Sequence, residues 1–362
     1  MRETDAAIAN EAKRVMEICN ACRYCEGYCA VFPAMTLHRE FVQADLNYLA
    51  NLCHNCQACY HACQYAPPHP FGVNVPQTFS LLRDQTYRRY AWPDPLARAF
   101  ERNGVVVSFV TLLAVTLVLI LTVALATPGA LDHGWIGAGA FYRVIPWAAM
   151  TGVALVTLGF AALAMAVGAV RFWRESGPVR VTLRAVLSGV RDAFTLKNLG
   201  GGGQGCNDLG EGFSTIRRSL HHVMAYGFLA CFAATCTAAF AADILRWPAP
   251  YPWFSLPVLL GSLGGVGLLV GTSGLVGLKF VTDPAPLARR LLGADIALLG
   301  LLWLAAATGL LLLALRDTAL MPVLLALHLG VILALFLALP YSKFVHGLYR
   351  TLALIRAAAD RR

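Results

Sequence analysis

Hydrophobic positions divide this chain into two unlike parts. Residues 1–104 mix apolar and polar side chains, whereas from residue 105 onward long apolar runs alternate with polar stretches. A helix needs roughly 20 apolar residues to cross a hydrocarbon core of about 30 Å. Six runs reach that length: Val105–Thr127, Val144–Val170, His222–Leu245, Leu256–Leu278, Leu291–Leu315 and Ala319–Leu339. Backbone polar groups in hydrocarbon must be satisfied within the segment, so each run is predicted as a helix. The predicted fold class is an all-α membrane protein, with six transmembrane helices following an N-terminal module. The module spans 1–104, the membrane domain 105–350 with a long loop at 171–218, and a basic tail 351–362. Within the module, residues 72–103 carry Arg83, Arg88, Arg89, Arg98 and Arg102 and read as an amphipathic connector near the headgroups, broken at Pro93 and Pro95. The fourth run contains the pairs Gly261–Gly265 and Gly267–Gly271 together with Gly274. Small residues at that spacing mark close helix–helix contact in a membrane.

Composition agrees: the 362 residues are 58% hydrophobic and 14% charged, too apolar for a soluble protein of this length. The distribution of Lys and Arg adds an orientation. The N-terminal segment carries 10, the 171–218 loop 8, the 279–290 loop 3 and the C-terminal segment 5, against one each (Arg143, Arg246, Arg316) in the remaining loops. The positive-inside rule then puts both termini, the long loop and the N-terminal module on the cytoplasmic side of a bacterial inner membrane. Trp135, Trp247, Tyr251 and Trp253 fall in the outer loops, as an aromatic belt would. The net charge of +9 is accounted for by this topology and calls for no nucleic-acid partner.

The module carries the chemistry. Cys19, Cys22, Cys25 and Cys29 form a C-x₂-C-x₂-C-x₃-C run, and Cys53, Cys56, Cys59 and Cys63 repeat it. Bacterial two-cluster ferredoxins hold a pair of [4Fe–4S] clusters with this spacing, the fourth cysteine of each run serving the other cluster. On that rule cluster 1 takes Cys19, Cys22, Cys25 and Cys63, and cluster 2 takes Cys53, Cys56, Cys59 and Cys29. Pro does not directly follow the fourth cysteine here; it comes later, as Pro33 and as Pro67–Pro68. Disulfides are not expected, because Met1 to Val15 is charged and lacks a secretory core. The regular third spacer argues against zinc. His54 and His61 lie among the cysteines as tuning or solvent-facing residues rather than ligands.

A membrane electron carrier also needs a redox group in the bilayer, commonly haem b between two histidines. His221 and His222 open the third run, and His346 follows the sixth, at matching depth and beside Arg217, Arg218, Lys343 and Arg350. These histidines are the haem b candidates, one haem being expected; the sequence does not fix the choice between His221 and His222, and the reading taken is a haem near His222 and His346. His328 lies inside the sixth run, about 27 Å of helix before His346, so one haem cannot use both. A second haem, a quinone pocket or a hydrogen bond to another helix are all open to it. Gly200–Gly205 satisfies G-x-G-x-x-G but follows no strand, and reads as a close-packing loop rather than a nucleotide site. Cys206, Cys231 and Cys236 read as inert thiols.

The double cysteine run, the six spans, the loop Leu196-Lys-Asn-Leu-Gly-Gly-Gly-Gly-Gln-Gly-Cys-Asn-Asp208 and the stretch Arg217-Arg-Ser-Leu-His-His222 with Tyr226-Gly-Phe228 together resemble the tricarballylate utilization protein B family, also called CitB-type. The resemblance covers nearly the whole chain. It implies a partner, an FAD-dependent dehydrogenase of the tricarballylate dehydrogenase type, and passage of its electrons through iron–sulfur clusters, with haem b in some relatives, to the quinone pool. Pro340-Tyr-Ser-Lys-Phe-Val-His346 also resembles the last helix of the haem-b subunit of membrane nitrate reductases, where two histidines stand 18 apart. The second haem of those subunits uses a further histidine whose place falls here near Cys231 or Phe232. The chain has no flavin or nicotinamide fingerprint, which makes it an oxidoreductase component, an electron-transfer subunit rather than a stand-alone enzyme. A transporter or redox sensor with a regulatory iron–sulfur domain is the rival reading; the few charges in the spans, chiefly Asp295 and His328, speak against an ion pathway.

Overall fold

The computed structural model describes residues 3–125 and 136–361. Trp135 and His133, the end of the first apolar run at Thr127, and Arg362 lie outside the described residues. The protein is all-helical; extended backbone pairs, among the described residues, only in an isolated bridge between Cys206 and Ser214. Six helices form the N-terminal module: α1 (Glu3–Cys22), α2 (Val31–Met35), α3 (Gln43–Leu52), α4 (Ala58–His61), α5 (Val75–Tyr90) and α6 (Asp94–Ala99). Then come α7 (Asn103–Leu125), α8 (Ala140–Val144), α9 (Trp147–Glu175), α10 (Leu183–Phe194), α11 (Ile216–Asp243) and α12 (Leu256–Val281). The chain ends with α13 (Leu292–Leu315), α14 (Met321–Ala338) and α15 (His346–Asp360). Helices α7, α9, α11, α12, α13 and α14 are long and apolar enough to cross a membrane. They are the six runs read from the sequence.

Glycine sets how closely these helices approach. The stripe of α12 that faces α11 is Gly264, Gly267, Gly271 and Gly274; a Cβ on Gly264 would come within 2.7 Å of the Gly227 carbonyl oxygen and the Cys231 amide nitrogen. Gly265 turns instead to α13, where a Cβ would meet Leu310 at 2.9 Å. The 3-4-3 spacing of the facing stripe follows the helical repeat, so it contains the Gly267–Gly271 pair whole and splits the Gly261–Gly265 pair between two neighbours, Gly261 lying against Ala234 of α11. Gly330 of α14 gives the same close approach to Val115 of α7.

The module core contains Phe32, Met35, Tyr48, Leu49, Phe79 and Leu82, and it is completed from the membrane domain by Phe172 of α9 and by Tyr349, Ala353 and Leu354 of α15. Helix α9 therefore runs past its apolar stretch. Its C-terminal end docks on the module, Glu175 accepting from Asn47 Nδ2 at 2.7 Å and Arg171 donating to the Ala91 carbonyl at 2.9 Å. Residues 351–360, expected as a basic tail, continue α15 and bury Ala353, Leu354 and Ala357. The 171–218 loop holds α10, capped by the Thr182 hydroxyl accepting from the Ala185 amide, and packs on α15 where Gly189 lies against Ile355. In the connector, Asn74 caps α5 by accepting from the Gln77 amide at 3.1 Å, and the chain breaks at Pro93 and resumes as α6. Arg83 departs from the headgroup-facing expectation: it is buried and bonded within the module.

Candidate metal centres

Local backbone geometry gathers the cysteines. Cys19 and Cys22 stand three apart at the end of α1 and so share a face. Arg23, in the left-handed region at φ 55°, ends the helix and turns Cys25 back toward them. In the second run Asn55 and Gln57 are left-handed at φ 58° and 65°, which folds the chain between Cys53, Cys56 and Cys59 into a tight cup. Alternation of right- and left-handed residues points successive amides inward, the arrangement that suits anionic clusters.

Two cavities result. One, of about 260 Å³, is lined by Cys19, Cys22, Cys25 and Cys63, with Cys59 and Phe32 among its other walls. The smaller, of about 10 Å³, is lined by Cys29, Cys53, Cys56 and Cys59. Each cavity thus contains one of the two ligand sets expected from the spacing, and Cys59 borders both. Burial first, then Cys25, Cys63 and Cys22, pushes the Cys19 thiol up to about 12. Burial, followed by Cys56 and Cys53, likewise raises Cys29, against a lowering influence from the Val31 and Phe32 amides. Thiols crowded and desolvated in this way ionise only with a cationic partner, and a metal centre supplies one. The donor set therefore fits iron–sulfur clusters.

The two sets differ in surroundings. Around the second, the Asn55 amide lies 3.4 Å from Cys53 Sγ, and the Val31, Phe32 and Ala58 amides bond Cys29 and Cys56. Three guanidinium groups close over the same loop: Arg83 and Arg350 each donate to the Cys53 carbonyl at 2.9 Å, and Arg217 donates to the Asn55 carbonyl at 2.7 Å. The glycine run packs here too. Gly201 approaches Ala58, the Asn207 amide donates to the Cys56 carbonyl at 3.0 Å, and the Cys206 thiol is buried, donating to the Leu199 carbonyl. Gly201, Gly202, Gly203 and Gly205 all have positive φ, which explains the choice of residue. The first set lies nearer the surface, beside Tyr24, which is 68% exposed.

Below the second set, α11 and α15 bring His221 and His346 together with ring centroids 6.1 Å apart. His222 packs on Tyr226 instead, at 5.7 Å. His346 Nδ1 bonds the Lys343 carbonyl at 2.5 Å, which leaves Nε2 free to ligate, and His221 Nδ1 is buried with no partner. Metal–imidazole bonds of roughly 2 Å would set two rings sharing one iron about 6 Å apart, centre to centre, so His221 and His346 are the residues that would hold a haem b; His222 Nε2 is also buried without a partner, but its ring lies against Tyr226. His328 is remote from the pair: its Nδ1 lies 3.0 Å from the Thr308 hydroxyl and its ring fills the space over Gly309. That is the helix–helix hydrogen bond among its three readings. His54 is buried with Nδ1 on the Leu52 carbonyl at 2.8 Å, and His61 Nε2 lies 3.6 Å from Asp283.

Sequence reasoning set Arg350 beside the haem candidates and Arg83 in the connector, and brought neither of them, nor Asn207, to the second cysteine set. Each reaches it from an element distant in the chain, and a single arginine in a basic connector carries no mark of burial. Comparison with known proteins follows the same division of the chain. Residues 12–89 match the Fer4-like domain of citrate utilization protein B, and residues 102–362 match the citrate utilization protein B family itself. A citrate utilization protein B of Escherichia coli is 48% identical over 357 residues, covering 97% of this chain and 92% of its own length. No solved structure matches. With six membrane-length helices behind a ferredoxin-like module, and agreement along almost its whole length, the chain belongs to the citrate utilization protein B family.

Proposed function

We propose that this protein is the membrane-anchored electron-transfer subunit of a tricarboxylate-oxidising system. Electrons enter from a separate FAD-dependent dehydrogenase of the tricarballylate dehydrogenase type, pass through two [4Fe–4S] clusters, and leave to the membrane quinone pool. The ligands are Cys19, Cys22, Cys25 and Cys63 for cluster 1, and Cys53, Cys56, Cys59 and Cys29 for cluster 2. The relative's name, citrate utilization protein B, is consistent with a tricarboxylate pathway. The observation that carries the reading is the pair of adjacent cavities, each lined by one complete set of four cysteines.

Surroundings give the transfer a direction. Cation charge and hydrogen bonds to sulfur raise a cluster's potential, and both concentrate on the second set, which lies against the membrane domain. Cluster 1, beside exposed Tyr24, is the entry point, and cluster 2 the exit. A haem b held by His221 and His346 would offer a further one-electron centre; Arg350 and Lys343 lie beside the pair and suit its propionates. The Lys and Arg distribution supports a module and two termini on the cytoplasmic side.

The test uses the full chain in ubiquinone-containing vesicles, with photoreduced free FAD as donor. Cluster absorbance should bleach and quinol should accumulate, and Cys56→Ser should abolish quinol formation while the protein still inserts. Clusters that reduce while quinone stays oxidised would overturn the reading.

A further inference from the structure

Between the module and the membrane domain lies a third cavity, of about 50 Å³, walled by both aromatic and charged side chains. That is several times the space one water needs. It opens where α5 and α6 meet the ends of α13 and α14, with Arg83, Asp84, Tyr87, Phe100, Asp295 and Lys343 on its walls. Asp295 is buried in the first turns of α13, and its two carboxylate oxygens are taken by Lys279 and Lys343. A carboxylate at the edge of the hydrocarbon is costly, and the two lysines fix it in place. An ammonium group has three donors, and Asp295 occupies one on Lys343. The aromatic wall is preformed, Phe100 stacking on Tyr341 at 4.8 Å and 26°. Next in sequence to the lining residues Ala97, Leu291 and Asp295, the apolar side chains of Leu96, Leu292 and Ile296 are exposed. On the water side Asp84 and Glu101 form the lip. Arg83 belongs to both sites: it lines this cavity and donates to the Cys53 carbonyl at 2.9 Å.

We propose that this cavity is the site where the quinone headgroup binds and is reduced, with Phe100 against the ring and the Lys343 ammonium donating to a ring carbonyl. The inference rests on the reading that quinone is the acceptor and adds where it docks. An apolar ring with two opposed oxygen acceptors and a lipid tail matches an aromatic slot with donors at its base and an exit to lipid. The electron balance follows from the donors named. Reduced flavin on the partner supplies two electrons, a cluster held by the second cysteine set would supply one-electron transfer beside Arg83, and each ring C=O becomes C–OH by taking one electron and one proton. The two protons come from water through Asp84 and Glu101. Burial raises the Asp84 carboxyl above its ordinary range, against the lowering influence of Arg88, which lies 3.2 Å from it.

The unmodified protein in vesicles is photolabelled with an azido-substituted benzoquinone carrying an isoprenoid tail, and the label is mapped by mass spectrometry. Label should concentrate on peptides covering residues 80–101, 291–295 and 341–343, and excess ubiquinone should suppress it. Ala294→Phe and Ala97→Phe fill the cavity from opposite walls. Each should weaken labelling about tenfold, while the dithionite-reduced cluster spectrum is unchanged and reports that the module is folded. Specific label at other peptides, with quinol still formed, overturns the site and leaves quinone as acceptor. No displaceable label together with no quinol formation overturns both.

Discussion

Single side chains decide how charge is held near the clusters. Arg83 is 5% exposed and bonds the carbonyls of Ala50 and Cys53, so its charge sits beside the second cysteine set with little water to screen it. Arg83→Met should shift the potential of cluster 2 downward by about 60 mV, tenfold in a one-electron equilibrium, and leave cluster 1 in place. An EPR-monitored redox titration reads both. The histidines give a second residue-level test. His221→Ala should lower the pyridine haemochrome yield of the purified protein, whereas His222→Ala should leave it unchanged, because only His221 faces His346. The grouping of the eight cysteines was legible in the sequence because a cluster's ligands obey short fixed spacings, and the fold gathers them around two cavities. The choice between His221 and His222 was not: adjacent residues on one helix differ by about 100° in direction, and only the position of α15 tells which one meets a partner.

At the scale of elements, all six spans could be read from hydropathy, since length and backbone satisfaction in lipid leave little freedom. Their ends could not. Apolar content stops near Val170, yet α9 continues to Glu175 because the module supplies Asn47 and Arg89 as partners for that carboxylate. The glycine stripe of α12 shows the same limit: its position in sequence was plain, while the face it presents to α11 depended on the crossing. Gly264→Leu would force α11 and α12 apart at the Gly227 contact. The expected loss is about 1–3 kcal/mol, as for overpacking elsewhere. A lower Tm of the detergent-solubilised protein checks it, and Gly277→Leu, where a Cβ meets nothing, is the control.

The whole molecule is less divisible than its sequence suggests. Tyr349 of α15 is buried against Tyr87, Tyr90 and Phe172, so one aromatic cluster joins module, connector and membrane domain. Tyr349→Ala should cost about 3–5 kcal/mol and destabilise the cluster module, seen as cluster absorbance lost at lower temperature on a thermal ramp. A fragment of residues 1–104 lacks that ring and Phe172, and should not melt cooperatively. The composition shift near residue 104 marks where lipid contact begins, not where the folding unit ends. Such an arrangement holds the second cysteine set against the membrane domain through Arg217 and Arg350. All of this depends on the cysteines holding iron and sulfide. The most direct measurement is metal and acid-labile sulfide analysis of anaerobically purified protein, with EPR after dithionite reduction. Two cubane clusters predict about eight iron and eight sulfide per chain and a spectrum of two interacting paramagnets; zinc in place of iron, or protein without labile sulfide and silent by EPR, would contradict the account.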